Sequence, residues 1–143
     1  ELLLFSAARA QLVDAVIRPA LEQGSIVIAD RFTDSTIAYQ AFGRGLPLQD
    51  IQFANTVATG GIAPDITFFL DIPLQQAKER CSEKNADRME LAGDGFFERV
   101  ILGYQDLSVI EPNRVKRYDA VMPVDALHEE IWQEMQGRII PQR

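Results

Sequence analysis

Ser25-Ile26-Val27-Ile28-Ala29-Asp30-Arg31 is a short apolar run closed by a charged pair. Its isoleucines and valine follow one another without polar alternation, the pattern of a strand buried on both faces. A second run of this kind, Ile66-Thr67-Phe68-Phe69-Leu70, lies between the turn residues Pro64-Asp65 and Asp71. Helical periodicity fills the rest. Leu2 to Gln23 reads as an amphipathic helix, bent or restarted at Pro19 and ended by Gly24. Thr33 to Phe42 reads as a helix capped by Thr33 or Asp34 and broken by Gly43-Arg44-Gly45. Pro47 to Ala58 is a third, stopped by Gly60-Gly61. Pro73 to Glu83 and Phe96 to Ile110 are further helices, separated by a polar, aperiodic loop, Lys84 to Gly95. Tyr118 to Val121 reads as a short strand. Val124 to Met135 reads as a last helix, with Asp125 as N-cap and Gly137 as its stop.

Short apolar strands alternating with helices imply an α/β protein. The expectation is three layers, a parallel sheet with helices on both faces, within one domain over residues 1–143. Ligands of such sheets bind beyond the carboxyl ends of the strands. Asp30-Arg31 and Asp71 fall there.

The 143 residues suit one buried core. Hydrophobic residues make up 47% and charged residues 24%, an ordinary globular balance. No apolar run approaches the ~20 residues of a membrane span, and no basic region precedes Leu2 to Phe5 as in a signal peptide. The net charge of −7 argues against a general nucleic-acid or anionic-membrane surface. A small anion is still admissible, because local clusters decide its binding. Eleven of the 14 basic residues are arginine, whose planar fork suits phosphate. The single cysteine, Cys81, fits a reducing compartment and an inert thiol. The chain opens with Glu1 inside an apolar helical pattern and is expected to be incomplete upstream.

Three places could carry chemistry. The first is Asp30-Arg31-Phe32-Thr33-Asp34-Ser35-Thr36-Ile37-Ala38-Tyr39-Gln40. A charged pair ending a buried strand needs a partner or a use. Alone, Asp30-Arg31 reads as an ion pair capping the sheet. Followed by a helix carrying hydroxyl and amide side chains, it leans towards binding. The second is Phe5 with Arg9, four apart and therefore on one helix face. A nucleobase could stack on Phe5 while Arg9 donates to its oxygens. On spacing alone the plainer reading, a core phenylalanine and a surface arginine, is preferred. The third is the loop region with Arg80, Lys84, Arg88 and Glu90, whose cations could close over phosphates. His128 and Trp132 read as ordinary helix residues. No GxxxxGK[ST] run occurs, so nothing here builds a Walker-type phosphate nest.

Together these segments resemble the bacterial thymidylate kinases nearly end to end. The resemblance rests on Leu3-Leu4-Phe5-Ser6-Ala7-Ala8-Arg9, on Asp30-Arg31-Phe32 with Ser35, on Ala38-Tyr39-Gln40 and on Gly43-Arg44-Gly45. Pro64-Asp65-Ile66-Thr67-Phe68-Phe69-Leu70-Asp71, Asp87-Arg88-Met89-Glu90 with Phe97 and Arg99, and Tyr118-Asp119-Ala120 complete it. It implies the P-loop NTPase (nucleotide kinase) fold, truncated at its N-terminus, with the first strand and P-loop absent from these residues. It implies transfer of the ATP γ-phosphoryl group to dTMP with Mg²⁺, giving dTDP. By position, Phe5 resembles the residue that stacks on thymine and Arg9 the one that reads a thymine carbonyl. Asp30 and Arg31 resemble the pair beside the acceptor phosphate, and Tyr39 the ring packed on the sugar. Ser35, Thr36 and Gln40 stand as further contacts. Arg80 and Arg88 resemble lid arginines, in a lid over about residues 80–95, and Arg31, Arg80 and Arg88 are the expected catalytic cations. Glu90 is the one metal or nucleotide contact suggested. A cytoplasmic homodimer binding dTMP and ATP, with no nucleic acid or membrane partner, is the corresponding expectation. The chain alone, without a P-loop, is expected to be inactive. The rivals are another deoxynucleoside or nucleotide kinase, and a non-catalytic nucleotide-binding module.

Overall fold

The computed structural model describes residues 1–81 and 93–139. Helix α1 (Leu2–Leu12) runs through a π-helical stretch, Val13–Ile17, into α2 (Arg18–Glu22). Leucine and alanine, strong helix formers, fill most of α1. Pro19 has no backbone N–H, and in a regular helix its ring strikes the carbonyl four residues back. The wider π turn just ahead of it adjusts the ladder, so Pro19 modifies the helix without ending it. Gly24, at φ 77°, marks the end.

The helix expected over 33–42 is present as α3 (Thr33–Thr36) and a second π stretch, Ile37–Gly43. Neither Thr33 nor Asp34 caps it; Phe32 occupies the N-cap position without a side-chain bond. Asp34 is buried, 4% exposed. Its Oδ2 and Oδ1 accept from Arg114 Nη1 at 2.7 Å and Nη2 at 2.8 Å. Thr67 donates its hydroxyl to the same carboxylate at 2.6 Å. A carboxylate removed from water is held better by a guanidinium fork than by a helix end. Helix α4 (Leu48–Thr59) follows Pro47 and stops at Gly60 in the left-handed conformation, as the Gly60-Gly61 pair suggested.

Strand β1 (Thr67–Asp71) pairs in parallel with β2 (Val115–Asp119), Phe69 opposite Arg117. The second strand begins three residues earlier than expected, because Val115 is a core residue and the Thr67 N–H bonds to the Arg114 carbonyl at 2.8 Å. Helices α5 (Leu74–Cys81) and α6 (Asp94–Ile110) lie between the strands in sequence, and α7 (Val124–Ile139) follows β2. Gly137 does not stop α7. A helix-interior glycine costs only about 1 kcal/mol against alanine, and Arg138 holds this turn through Glu134 and the Asn113 carbonyl.

The run Ser25–Ala29 corrects the sequence reading. It belongs to no ladder among the described residues, and Ile26 and Ile28 are 62% and 91% exposed. Hydropathy records what a segment can bury, but a strand exists only through a partner's hydrogen bonds. Among the described residues the sheet therefore has two parallel strands, with helices alternating around it.

Two clusters make the core beside the sheet and α6. Phe69, Leu107 and Val115 form one; Ala38, Phe96 and Val100 form the other. Tyr104 packs against both and stacks on Phe69 with ring centroids 5.0 Å apart. Burying one such side chain contributes about 1.5–3 kcal/mol, so α6 is fixed against the sheet and the 37–43 segment alike. Gly103 allows that approach: a Cβ there would lie 2.8 Å from the Phe42 ring.

Candidate functional site

Glu1, Phe5 and Arg9 recur every four residues and share one face of α1. Both neighbours of Phe5 on that face reach the 32–44 segment. Gln40 Nε2 donates to Glu1 Oε1 at 2.6 Å, and Arg44 Nη2 lies 3.4 Å from Glu1 Oε2. Arg9 Nη2 donates to the Phe32 carbonyl at 3.2 Å, and its guanidinium lies over the Phe32 ring at 5.4 Å. Phe5 sits between these anchors and is 50% exposed, an aromatic face left open to solvent.

The partner segment holds most of the residues singled out in the sequence. Asp30 and Arg31 are exposed where the 25–29 run ends. Arg31 has φ 65°, the one non-glycine residue in the left-handed region among those described. Such a conformation costs an arginine roughly 1 kcal/mol or more. Its guanidinium lies over the Tyr39 ring at 5.3 Å. Tyr39 and Gln40 belong to the π stretch, whose register shows in the Arg44 N–H bonding to the Tyr39 carbonyl at 3.0 Å. Inserted π turns often accompany sites because they re-aim side chains. Ser35 Oγ accepts from the Tyr104 hydroxyl at 2.6 Å. Burial pushes the Tyr104 phenol up to about 12, so it stays a proton donor to Ser35 at neutral pH. Thr36 and Gln40 are buried, at 5% and 3% exposure.

Four described arginines, Arg9, Arg31, Arg80 and Arg99, form no ion pair with a carboxylate among the described residues, and of these Arg9 and Arg31 also lie over aromatic rings. Arg9 is partly buried, and the loss of water lowers its pKa from the usual arginine value. Its partners are neutral oxygens: the Phe32 carbonyl and Asn55 Oδ1, the latter at 3.0 Å. Cations held this way keep their charge available for an anionic or carbonyl-bearing ligand. Asp34, by contrast, is neutralised by Arg114, and Glu111 adds a second carboxylate to that arginine at 2.7 Å.

The residues expected to form a lid are described only in part. Arg80 ends α5 and donates to the Ala120 carbonyl at 3.1 Å, just past β2. It thus lies near the carboxyl end of the sheet, away from the Phe5–Arg31 group in its contacts. Arg88 and Glu90, and most of the expected lid, lie outside the described residues.

A cavity of about 960 Å³ opens at the carboxyl ends of β1 and β2, between Leu74, Ile101, Leu102, Arg117 and Val121. Of the residues singled out in the sequence, Asp71 and Asp119 line it, but none of the expected substrate or catalytic contacts does. Its polar lining includes Glu98, Gln105, Arg117, Asp119 and Asp71, and Asp71 already takes bonds from Arg117 at 2.7 Å and Gln105 at 3.2 Å. An internally satisfied group attracts a charged ligand less than the unpaired charges of Arg9 and Arg31, which makes the latter the stronger candidate site.

Sequence reasoning missed three supporting residues. Asn55 interrupts an apolar stripe on α4, Ile51–Asn55–Ala58–Thr59, and a polar residue in a buried stripe was a usable signal. Arg114 and Tyr104 act across 80 and 69 residues of sequence, which no local pattern reveals.

Comparison with known proteins bears on this geometry. The family model described as thymidylate kinase matches residues 1–131. A thymidylate kinase of Dehalococcoides mccartyi is 44% identical over 135 residues, covering 94% of this chain and 65% of that protein. One from Kosmotoga olearia gives the same identity and coverage. One from Desulfovibrio desulfuricans is 47% identical over 131 residues, covering 86% of this chain and 60% of that protein. The chain thus spans a little under two thirds of the length of these relatives.

Proposed function

Because the chain belongs to the thymidylate kinase family, we propose that it carries the acceptor side of an enzyme transferring the ATP γ-phosphoryl group to dTMP, giving dTDP. The observation that supports this most is the pair of arginines without carboxylate partners, each over an aromatic ring, Arg9 over Phe32 and Arg31 over Tyr39, with Phe5 exposed one turn before Arg9 on α1. Thymine stacks on Phe5, and Arg9 donates to a base carbonyl. Arg31 donates to the 5′-phosphate beside Asp30, and Tyr39 packs on the sugar. Ser35, Thr36 and Gln40 complete the surround. A stacked base with a bidentate donor and a fixed phosphate leaves the acceptor oxygen little freedom, which is the main requirement of phosphoryl transfer.

Arg31, Arg80 and Arg88 are the proposed sources of positive charge around the transferring group, with a lid over about 80–95. ATP is the proposed phosphoryl donor. Mg²⁺, when bound, would neutralise polyphosphate charge; among the described residues no three His, Cys, Asp or Glu side chains converge to hold it, and no step is routed through it. The sequence carries no GxxxxGK[ST] run, so these residues are assigned the acceptor half only. Completion of the sheet to three layers in the P-loop NTPase fold, a homodimer, and a cytoplasmic location belong to the same proposal. No described helix is long and apolar enough to cross a membrane.

The test is a substrate panel on the whole protein with ATP: dTMP, dUMP, dCMP and thymidine. Turnover of dTMP is expected to exceed that of dCMP by at least about 100-fold, since cytosine presents an amino group where Arg9 needs an acceptor. Equal turnover of dCMP, or preference for thymidine, would refute the assignment.

A further inference from the structure

Asn55 is 6% exposed and sits on the inner stripe of α4, facing α1 and the start of α3. Its Oδ1 accepts from Arg9 Nη1 at 3.0 Å, and its Nδ2 donates to the Thr33 carbonyl at 3.2 Å. The two bonds define the amide's orientation, because only the oxygen can face a guanidinium and only the nitrogen a carbonyl. Arg9 is held a second time by the Phe32 carbonyl and a third time by the Phe32 ring. Two of its nitrogens are thereby directed, and the rest of its five-donor fork stays open to a ligand.

The residue type matters. An arginine that reads a base must be both immobile and uncancelled. A carboxylate at this position would hold it but neutralise it; an aliphatic residue would leave a partly buried guanidinium to swing or to seek water. A neutral amide, itself tethered to the backbone of the opposite segment, holds the group without cancelling its charge.

We propose that Asn55 is a positioning residue for base recognition: it fixes the Arg9 guanidinium in the pose that meets a pyrimidine carbonyl. The inference rests on the assignment of Arg9 as the base contact. Asn55 acts through Arg9 and touches no ligand itself.

A double-mutant cycle on the whole protein tests it, reading the dissociation constants of dTMP and of 2-deoxyribose 5-phosphate, which lacks the base. Asn55→Ala is expected to weaken dTMP binding about tenfold, the scale of one hydrogen bond to a charged group. It should leave binding of the sugar phosphate unchanged. In an Arg9→Ala background the same substitution should change dTMP binding by less than about twofold, because the group it orients is gone. An equal loss in both backgrounds, or no loss in either, overturns the proposal and marks Asn55 as structural. If Arg9→Ala itself leaves dTMP affinity unchanged, the base-contact assignment falls and the proposal with it. Should Asn55→Ala not fold, Asn55→Asp decides. It keeps the volume and the acceptor facing Arg9 but cannot donate to Thr33. By neutralising Arg9 it should weaken dTMP binding about tenfold and leave sugar-phosphate binding unchanged; dTMP affinity within about threefold of the parent, or an equal loss for both ligands, overturns the proposal.

Discussion

Replacing Arg114 with alanine is expected to destabilise the fold by about 3–5 kcal/mol, the cost of leaving a buried charge without its partner. Arg114 sits just before β2, yet its guanidinium serves three elements. It donates through Nη1 and Nη2 to Asp34 on α3 and through Nε to Glu111 after α6. It also approaches the Thr67 hydroxyl on β1 at 3.3 Å. The Asp34 side chain is 6% exposed, so water cannot replace what is lost. Against total stabilities of about 5–15 kcal/mol the effect is large. Urea unfolding reads it directly. The double replacement Asp34→Leu with Arg114→Leu should recover most of the loss, because removing both charges removes the uncompensated one. A cost below about 1 kcal/mol for Arg114→Ala would show that the Asp34 carboxylate is solvated in solution.

Replacing Arg31 with glycine is expected to push stability and activity in opposite directions. Arginine at φ 65° is strained, and glycine adopts that conformation freely. The substitution should therefore stabilise the fold by up to about 1 kcal/mol, since Arg31 makes no ion pair and is exposed. Under the proposed function the same change removes a cation from the acceptor phosphate. Turnover of dTMP by the whole protein should then fall about 100- to 1,000-fold, the scale seen when one preorganised donor is deleted. Strain kept at an exposed arginine and relieved only with loss of turnover is what a functional site predicts. Undiminished turnover in Arg31→Gly would remove Arg31 from the site.

What was legible in the sequence follows from the range of the forces involved. Helices α4 and α6 and strand β1 were visible because their own periodicity and stop signals agree with their packing: Gly60 ends α4 as expected, and Phe96, Val100 and Leu107 face inward at helical spacing. Ser25–Ala29 misled because hydropathy cannot say whether a ladder partner is present. Asp34 misled because it has the right chemistry for a cap, and only Arg114, 80 residues on, outbids the helix end. Both π stretches were illegible: one lies just before Pro19 and the other packs Gly43 and Phe42 against α6, and neither shows in the hydropathy pattern. Of the candidate site, the segment from Asp30 to Gln40 stood out by its residue types, whereas the Phe5–Arg9 face was suggested by family resemblance alone: spacing favoured a core phenylalanine and a surface arginine, but Phe5 is 50% exposed and Arg9 partly buried. Their supports could not: Asn55 under Arg9, Tyr104 under Ser35 and Glu1 against Gln40 are tertiary contacts.

The most direct measurement is a crystal structure of the whole protein with dTMP. Thymine is expected against the Phe5 ring, with Arg9 within hydrogen-bonding distance of a base carbonyl and Arg31 at the 5′-phosphate. dTMP lodged instead in the opening between Asp71, Ile101 and Arg117, or touching neither Phe5 nor Arg9, would contradict the proposed site.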